Sequence, residues 1–187
     1  MRPELLLTIK MPKNRASAKF SEEDLFFMQE AVKEALKAEK KGDVPIGAVI
    51  VKDGRIIGRG HNRKEAAADP TGHAEIAAIQ KAAKKLKAWR LTGSSIYVTL
   101  EPCLMCMGAL VQARIENLIF ACRDPKAGAA GSLYDVAADK RLNHRINVKE
   151  SLLTEEASVM LKKFFLKLRK RNERNLLAAK IKKHGGE

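Results

Sequence analysis

A chain of 187 residues suits one domain with a sizeable core plus tails, and 45% hydrophobic with 31% charged residues is ordinary for a soluble globular protein. Three cysteines exclude a disulfide framework and fit a reducing compartment, and no apolar run is long enough to span a membrane. The net charge of +14 sits at the ends: residues 1–20 carry five basic and one acidic side chains, residues 161–187 ten and two, and the rest is nearly balanced. Such a field suits a polyanion, nucleic acid first, while aromatics at 5% argue against an extended base-stacking platform.

Residues 1–20 hold a short apolar run, Leu5 to Ile9, too brief for a signal-peptide core, followed by a basic stretch read as a flexible, RNA-facing arm. Its basic, acid-poor character is also compatible with an organelle transit peptide, and Met11 with an alternative start. Ser21-Glu22-Glu23-Asp24 predicts a helix start; Leu25, Met28, Val32, Ala35 and Leu36 recur at helical spacing as its core stripe, ending near Lys41-Gly42. Residues 44–51 and 55–60 read as strands joined by Lys52-Asp53-Gly54, a hairpin signal. A helix is expected from Asp69-Pro70-Thr71, with Asp69 or Thr71 as N-cap; beyond it Trp89-Arg90-Leu91 is placed to reach RNA, although packing is the favoured reading of Trp89. A strand over 94–100 then runs into a helix over 103–114 that is apolar nearly all round and must be covered on several sides. A strand over 117–122 places Cys122 in the core; a Gly/Ala loop, a short helix around 134–138 and a strand over 145–150 follow. Thr154 is expected to cap the last helix, with Ala157, Met160, Leu161, Phe164 and Leu168 inward, and the chain to fray from Arg174. The alternation predicts a three-layer α/β/α sandwich of about five strands in a mixed sheet, with 21–171 as the domain and 172–187 as a basic tail.

Two short stretches carry chemistry. Thr71-Gly72-His73-Ala74-Glu75 supplies an imidazole and a carboxylate, and Glu101-Pro102-Cys103-Leu104-Met105-Cys106 two thiols three residues apart. Zinc takes nitrogen and thiolate tetrahedrally, so His73, Cys103 and Cys106 make three ligands with one position open for water. With Pro102 in the first helical turn, both cysteines fall on one helix face. Glu75, two residues past His73, points elsewhere and is placed to move protons on the bound water. A structural zinc knuckle would want a fourth protein ligand, which His61, His144 and His184 do not supply in any ligand-like pairing, and a redox pair would not need His-x-Glu.

H-x-E followed by P-C-x-x-C is the signature of the zinc nucleobase deaminases, tRNA adenosine deaminases among them, so the expected mechanism is that of the class. From about Phe20 to Lys170 the chain closely resembles bacterial-type tRNA-specific adenosine deaminases of the cytidine deaminase-like superfamily. Beside the two stretches above, the likeness rests on Val44-Pro45-Ile46-Gly47-Ala48, Gly60-His61-Asn62, Arg123-Asp124, Gly128-Ala129-Ala130-Gly131-Ser132 and Asn143-His144. The later segments point to the tRNA branch. The resemblance implies conversion of adenosine to inosine at the anticodon wobble position, in a cytoplasmic homodimer with one Zn2+ per subunit and a tRNA anticodon stem-loop as substrate. It implies Glu75 as proton shuttle, Asn62 on the base edge, the Ala74 amide on the reacting end, Ile46 and Leu100 as pocket walls, and Asp124 on a ribose 2′-OH. Gly72 departs from the alanine common in the family. Two alternatives stay open from the residues: a deaminase of a free base or nucleotide, and a non-catalytic zinc-containing RNA-binding subunit.

Overall fold

The computed structural model describes the backbone of residues 20–184 and side chains as far as residue 176; the arm over 1–19 lies outside the described residues. Helix α1 (Glu22–Lys40) starts where Ser21 and Asp24 exchange hydrogen bonds, each side chain accepting the other's N–H at 3.0 Å. That reciprocal cap satisfies two otherwise orphan donors. Strands β1 (Gly47–Lys52) and β2 (Arg55–His61) form the predicted hairpin, and Asp53 and Gly54 between them both adopt positive φ, 49° and 68°. Two left-handed residues in succession match the twist of the flanking strands, which is why Asp-Gly is favoured there.

Strand β1 pairs antiparallel with both β2 and β3 (Ser95–Leu100), while β4 (Asn117–Cys122) and β5 (Asn147–Glu150) add in parallel, giving the order β2-β1-β3-β4-β5. Side chains alternate across this five-stranded mixed sheet. Ala48, Ile50, Ile96, Val98, Leu118 and Phe120 bury one face against α2 (Ala74–Leu86) and α3 (Leu104–Gln112). Val49, Val51, Tyr97, Ile119 and Ala121 bury the other against α1 and against Ala157 of α4 (Thr154–His184). The expected three-layer α/β/α sandwich is the fold.

Glycine sets how closely two helices approach. A Cβ on Gly47 would run into the α1 backbone at Ala31, Glu34 and Ala35, and one on Gly60 would overlap the Ala74 carbonyl oxygen and lie 2.7 Å from the Ala78 nitrogen. Gly60 therefore seats the first turn of α2, which carries His73 and Glu75. Gly60→Ala is expected to cost about 3 kcal/mol by overpacking against backbone that cannot yield locally. Urea unfolding checks the stability; zinc content should hold while turnover falls, and a variant as stable and active as the parent would show that α2 is not seated this way.

Several local expectations are corrected. Leu36 is exposed and Val32 half-buried; the α1 stripe runs instead through Phe27, Met28, Ala31, Ala35 and Ala38, because alanines permit the close contact with Gly47. No helix forms over 134–138; turns and an Ala130–Asp135 bridge occupy that segment. Trp89 is 57% exposed, not packed, with the Arg90 guanidinium 4.3 Å from its ring centroid. Thr154 is the first residue of α4, its hydroxyl donating to the Ala121 carbonyl at 2.7 Å. Rather than fraying at Arg174, α4 stays helical to His184.

Candidate metal centre and active site

Helices α2 and α3 both begin at the end of the sheet where β3 stops and β2 closes. Each begins on a residue with thiol or imidazole chemistry: His73 is the N-cap of α2 and Cys103 the N-cap of α3, both in extended backbone. This corrects both predicted helix starts. Asp69 is occupied in its own turn, accepting the Thr71 N–H and hydroxyl at 2.8 and 2.7 Å, so α2 is delayed to Ala74. Pro102 likewise precedes the α3 N-cap and lies outside its first turn. Neither His73 nor Cys103 caps its helix through its side chain, which leaves both free to face each other.

His73 Nδ1 lies 3.7 Å from Cys103 Sγ and 3.5 Å from Cys106 Sγ, and the three donor atoms all fall within 4.8 Å of one another. Donors at zinc–sulfur and zinc–nitrogen bond lengths in a tetrahedron stand about 3.6 Å apart, so the trio fits a zinc ion with one position left over. The positive ends of α2 and α3 converge here and favour thiolate. The Cys103 thiol is drawn down to about 4 by its hydrogen bond with Cys106 and by His73, while Cys106 is pushed up by that same bond and by burial. Hydrogen bonding to Cys103 raises His73. Among the described residues this is the one cluster of such donors.

Glu75 lies in the first turn of α2, 3% exposed, with its carboxyl beside the Cys106 thiol. Burial pushes this carboxyl up. It lies beside the trio without belonging to it. Asn62, 4% exposed at the end of β2, is anchored by its N–H to the Ile46 carbonyl at 2.9 Å. Ala74 is fully buried, and Ile46 and Leu100 are half-buried against opposite core faces. Asp124 is engaged as a turn cap: one carboxylate oxygen accepts the N–H groups of Lys126 and Ala127 at 2.9 and 3.2 Å.

Glu101, whose role no local pattern in the sequence signals, ties the glycine-rich loop to the thiol pair. Its buried carboxylate accepts the N–H groups of Asp124, Ala130 and Ser132 at 2.9–3.0 Å and the Ser132 hydroxyl. Burial would raise the Glu101 carboxyl, but the Ser132 hydroxyl and these three amides outweigh it and hold it below the usual range. Gly128 passes so near that carboxylate that a Cβ would overlap it, and its backbone bridges to Cys103. The signal was an acid abutting a strand end with a glycine-rich loop downstream; nothing local says that the two meet. Asn143 and His144 serve structure: Arg114 donates to the Asn143 side-chain oxygen at 2.7 Å, and His144 Nε2 sits 2.6 Å from the Ile115 carbonyl.

A family profile described as MafB19-like deaminase matches residues 22–169. The chain is 48% identical over 151 residues to a tRNA-specific adenosine deaminase of Bacillus subtilis, covering 81% of this chain and 94% of that one. It is 47% identical over 144 residues to a tRNA-specific adenosine deaminase of Aquifex aeolicus, covering 77% and 95%. A solved structure from a study of A-to-I editing by tRNA:A34 deaminases at the wobble position of transfer RNA superposes with a TM-score of 0.70 at 43% identity, over 73% of this chain and 99% of that one.

Proposed function

This chain belongs to the bacterial-type tRNA-specific adenosine deaminases, and from that premise we propose that it converts adenosine to inosine at the wobble position of a tRNA anticodon, with His73, Cys103 and Cys106 holding zinc and Glu75 moving the protons. The observation that carries the residue assignment is the convergence of one imidazole and two thiols at zinc-like spacing with a buried carboxylate alongside. Bound by that trio, zinc supplies the Lewis acidity that brings water close to ionisation at neutral pH. Glu75 takes a proton from the attacking water and passes it to N1 of the adenine as the oxygen adds at C6. Glu75 then accepts the second proton of that oxygen and delivers it to the amine; the C6–N bond breaks, ammonia leaves, and the carboxylate is restored. Asn62 holds the base edge, the Ala74 amide the reacting end, and Ile46 and Leu100 wall the pocket. The Asp124 oxygen not used in its turn accepts from a ribose 2′-OH, a group DNA lacks. The deaminase domain is taken as 21–171.

An anticodon stem-loop and free nucleosides, incubated separately with the protein and assayed for inosine and released ammonia, test the reading. Turnover of the stem-loop alone is expected. Turnover of free nucleosides alone would replace this reading with that of a free-nucleoside deaminase.

The assembly is proposed to be a homodimer packed through α3. Leu104 and Met105 are 52% and 37% exposed on that helix, and a Cβ on the exposed Gly108 would meet nothing within 4 Å. Apolar residues beside a glycine let a second helix approach closely. Leu104→Glu/Gly108→Glu is expected to weaken self-association at least about 100-fold, read by analytical ultracentrifugation; an unchanged sedimentation profile would remove α3 from the interface. No helix among the described residues is long and apolar enough to cross a membrane. The three free cysteines and an RNA substrate support a cytoplasmic enzyme.

A further inference from the structure

Beyond the deaminase centre, at the edge of the sheet where β2 ends, Lys41, His61, Arg63, Ala77, Gln80 and Lys81 line a cavity of about 220 Å³. Three cations and no carboxylate face it. The nearby acids are engaged elsewhere: Glu34 receives Lys37 at 2.6 Å and His61 Nδ1 at 3.2 Å, and Asp43 accepts the N–H groups of Glu65 and Ala66. Asp69 serves the Thr71 turn and reaches Arg63 only at 3.7 Å. The His61 ring lies between the two kinds of charge, its Nδ1 3.2 Å from the Glu34 carboxylate and its Nε2 3.2 Å from Lys41 Nζ. That contact holds Lys41 Nζ beside the hollow without a carboxylate of its own to cancel its charge. A merely solvated lysine needs no such seat.

The location joins this concavity to the catalytic end of the fold. His61 and Arg63 flank Asn62 in sequence, and Lys81 lies about 9 Å along α2 from Glu75. An adjoining nucleotide of a substrate bound at Asn62 can reach it. We propose that Lys41, Arg63 and Lys81 form a subsite for an RNA backbone phosphate beside the reacting nucleotide, with the Gln80 side-chain amide as a further donor. The proposal rests on the reading that RNA is the substrate; its chemistry is contact with phosphate, which positions the strand without reading bases.

The test measures binding of an anticodon stem-loop to the full chain across a salt series, for the parent, for Lys41→Ser/Lys81→Ser, and for Lys52→Ser/Arg55→Ser at the far end of the same hairpin, which removes the same charge. The first pair is expected to raise Kd about tenfold at low salt and to flatten the slope of log K against log salt by about 1.5. The second pair should leave both close to parental values. Equal losses in the two pairs would mean a diffuse field and overturn the subsite, as would parental binding by Lys41→Ser/Lys81→Ser. Inosine formation by the parent on the same RNA is scored separately: its absence counts against the functional reading, whereas the binding comparison decides the subsite.

Discussion

Replacing Glu75 with glutamine is expected to lower the rate of adenosine deamination by about 10³- to 10⁴-fold while leaving one zinc per chain and nearly unchanged affinity for the stem-loop. Glutamine keeps the volume of a side chain that is buried and in contact with the Cys106 thiol, so the fold and the ligand trio have no reason to move. What it loses is the ability to take a proton from water and return it to the base and the amine. Two proton transfers in one cycle depend on this carboxylate, which places the effect near the upper end for a single acid–base group. Single-turnover measurements separate it from product release. A loss under about tenfold with zinc still bound would assign the proton transfers to another group.

Cys106→Ser is expected to reduce zinc from one per chain to near zero, with no measurable turnover. The side chain is fully buried between the other donors, and a serine oxygen at that position is a far poorer partner for zinc than a thiolate. Stability should follow the metal, because an ion that binds only the folded chain stabilises it by about 4 kcal/mol when present at a thousand times its Kd. Treating the parent with a chelator should therefore lower its Tm by on the order of 10 °C, and the variant should melt alike with and without chelator. Two proteins equally sensitive to chelation would mean that the ion is held by other residues.

Both predictions use residues that could be read without coordinates, whereas Glu101 and Gly60 could not. The His-x-Glu and Cys-x-x-Cys groups are short-range patterns whose chemistry is carried by residue type and spacing, and the hairpin turn at Asp53-Gly54 is legible because its backbone demand is local. The α1 stripe was misjudged at Leu36 because periodicity ranks large apolar residues as core, while the close contact with Gly47 selects alanines. The α2 start was set too early because Asp69 is a good N-cap by type, but here spends its carboxylate on the Thr71 turn. Trp89 was expected to pack because of its size, yet it follows the left-handed end of α2 at Lys87 and projects outward with Arg90.

The amino-acid order alone determined most of the elements, though not the turns over 134–138 or the starts of α2 and α3, and it also determined the alternation that makes a two-faced sheet and the inventory of one imidazole, two thiols and a spare carboxylate, since each depends on neighbours within a few positions. Only the tertiary structure decided which atoms meet. His73 and Glu101 are 28 positions apart and Glu101 and Gly128 27 apart, and these separations are bridged by strand pairing and by glycines that admit backbone to backbone contact. Spacing along the chain does not encode distance through it, so the seat of α2 on Gly60, the anchoring of the glycine-rich loop by Glu101 and the gathering of Lys41, Arg63 and Lys81 around one hollow emerge only when the sheet and its helices are assembled.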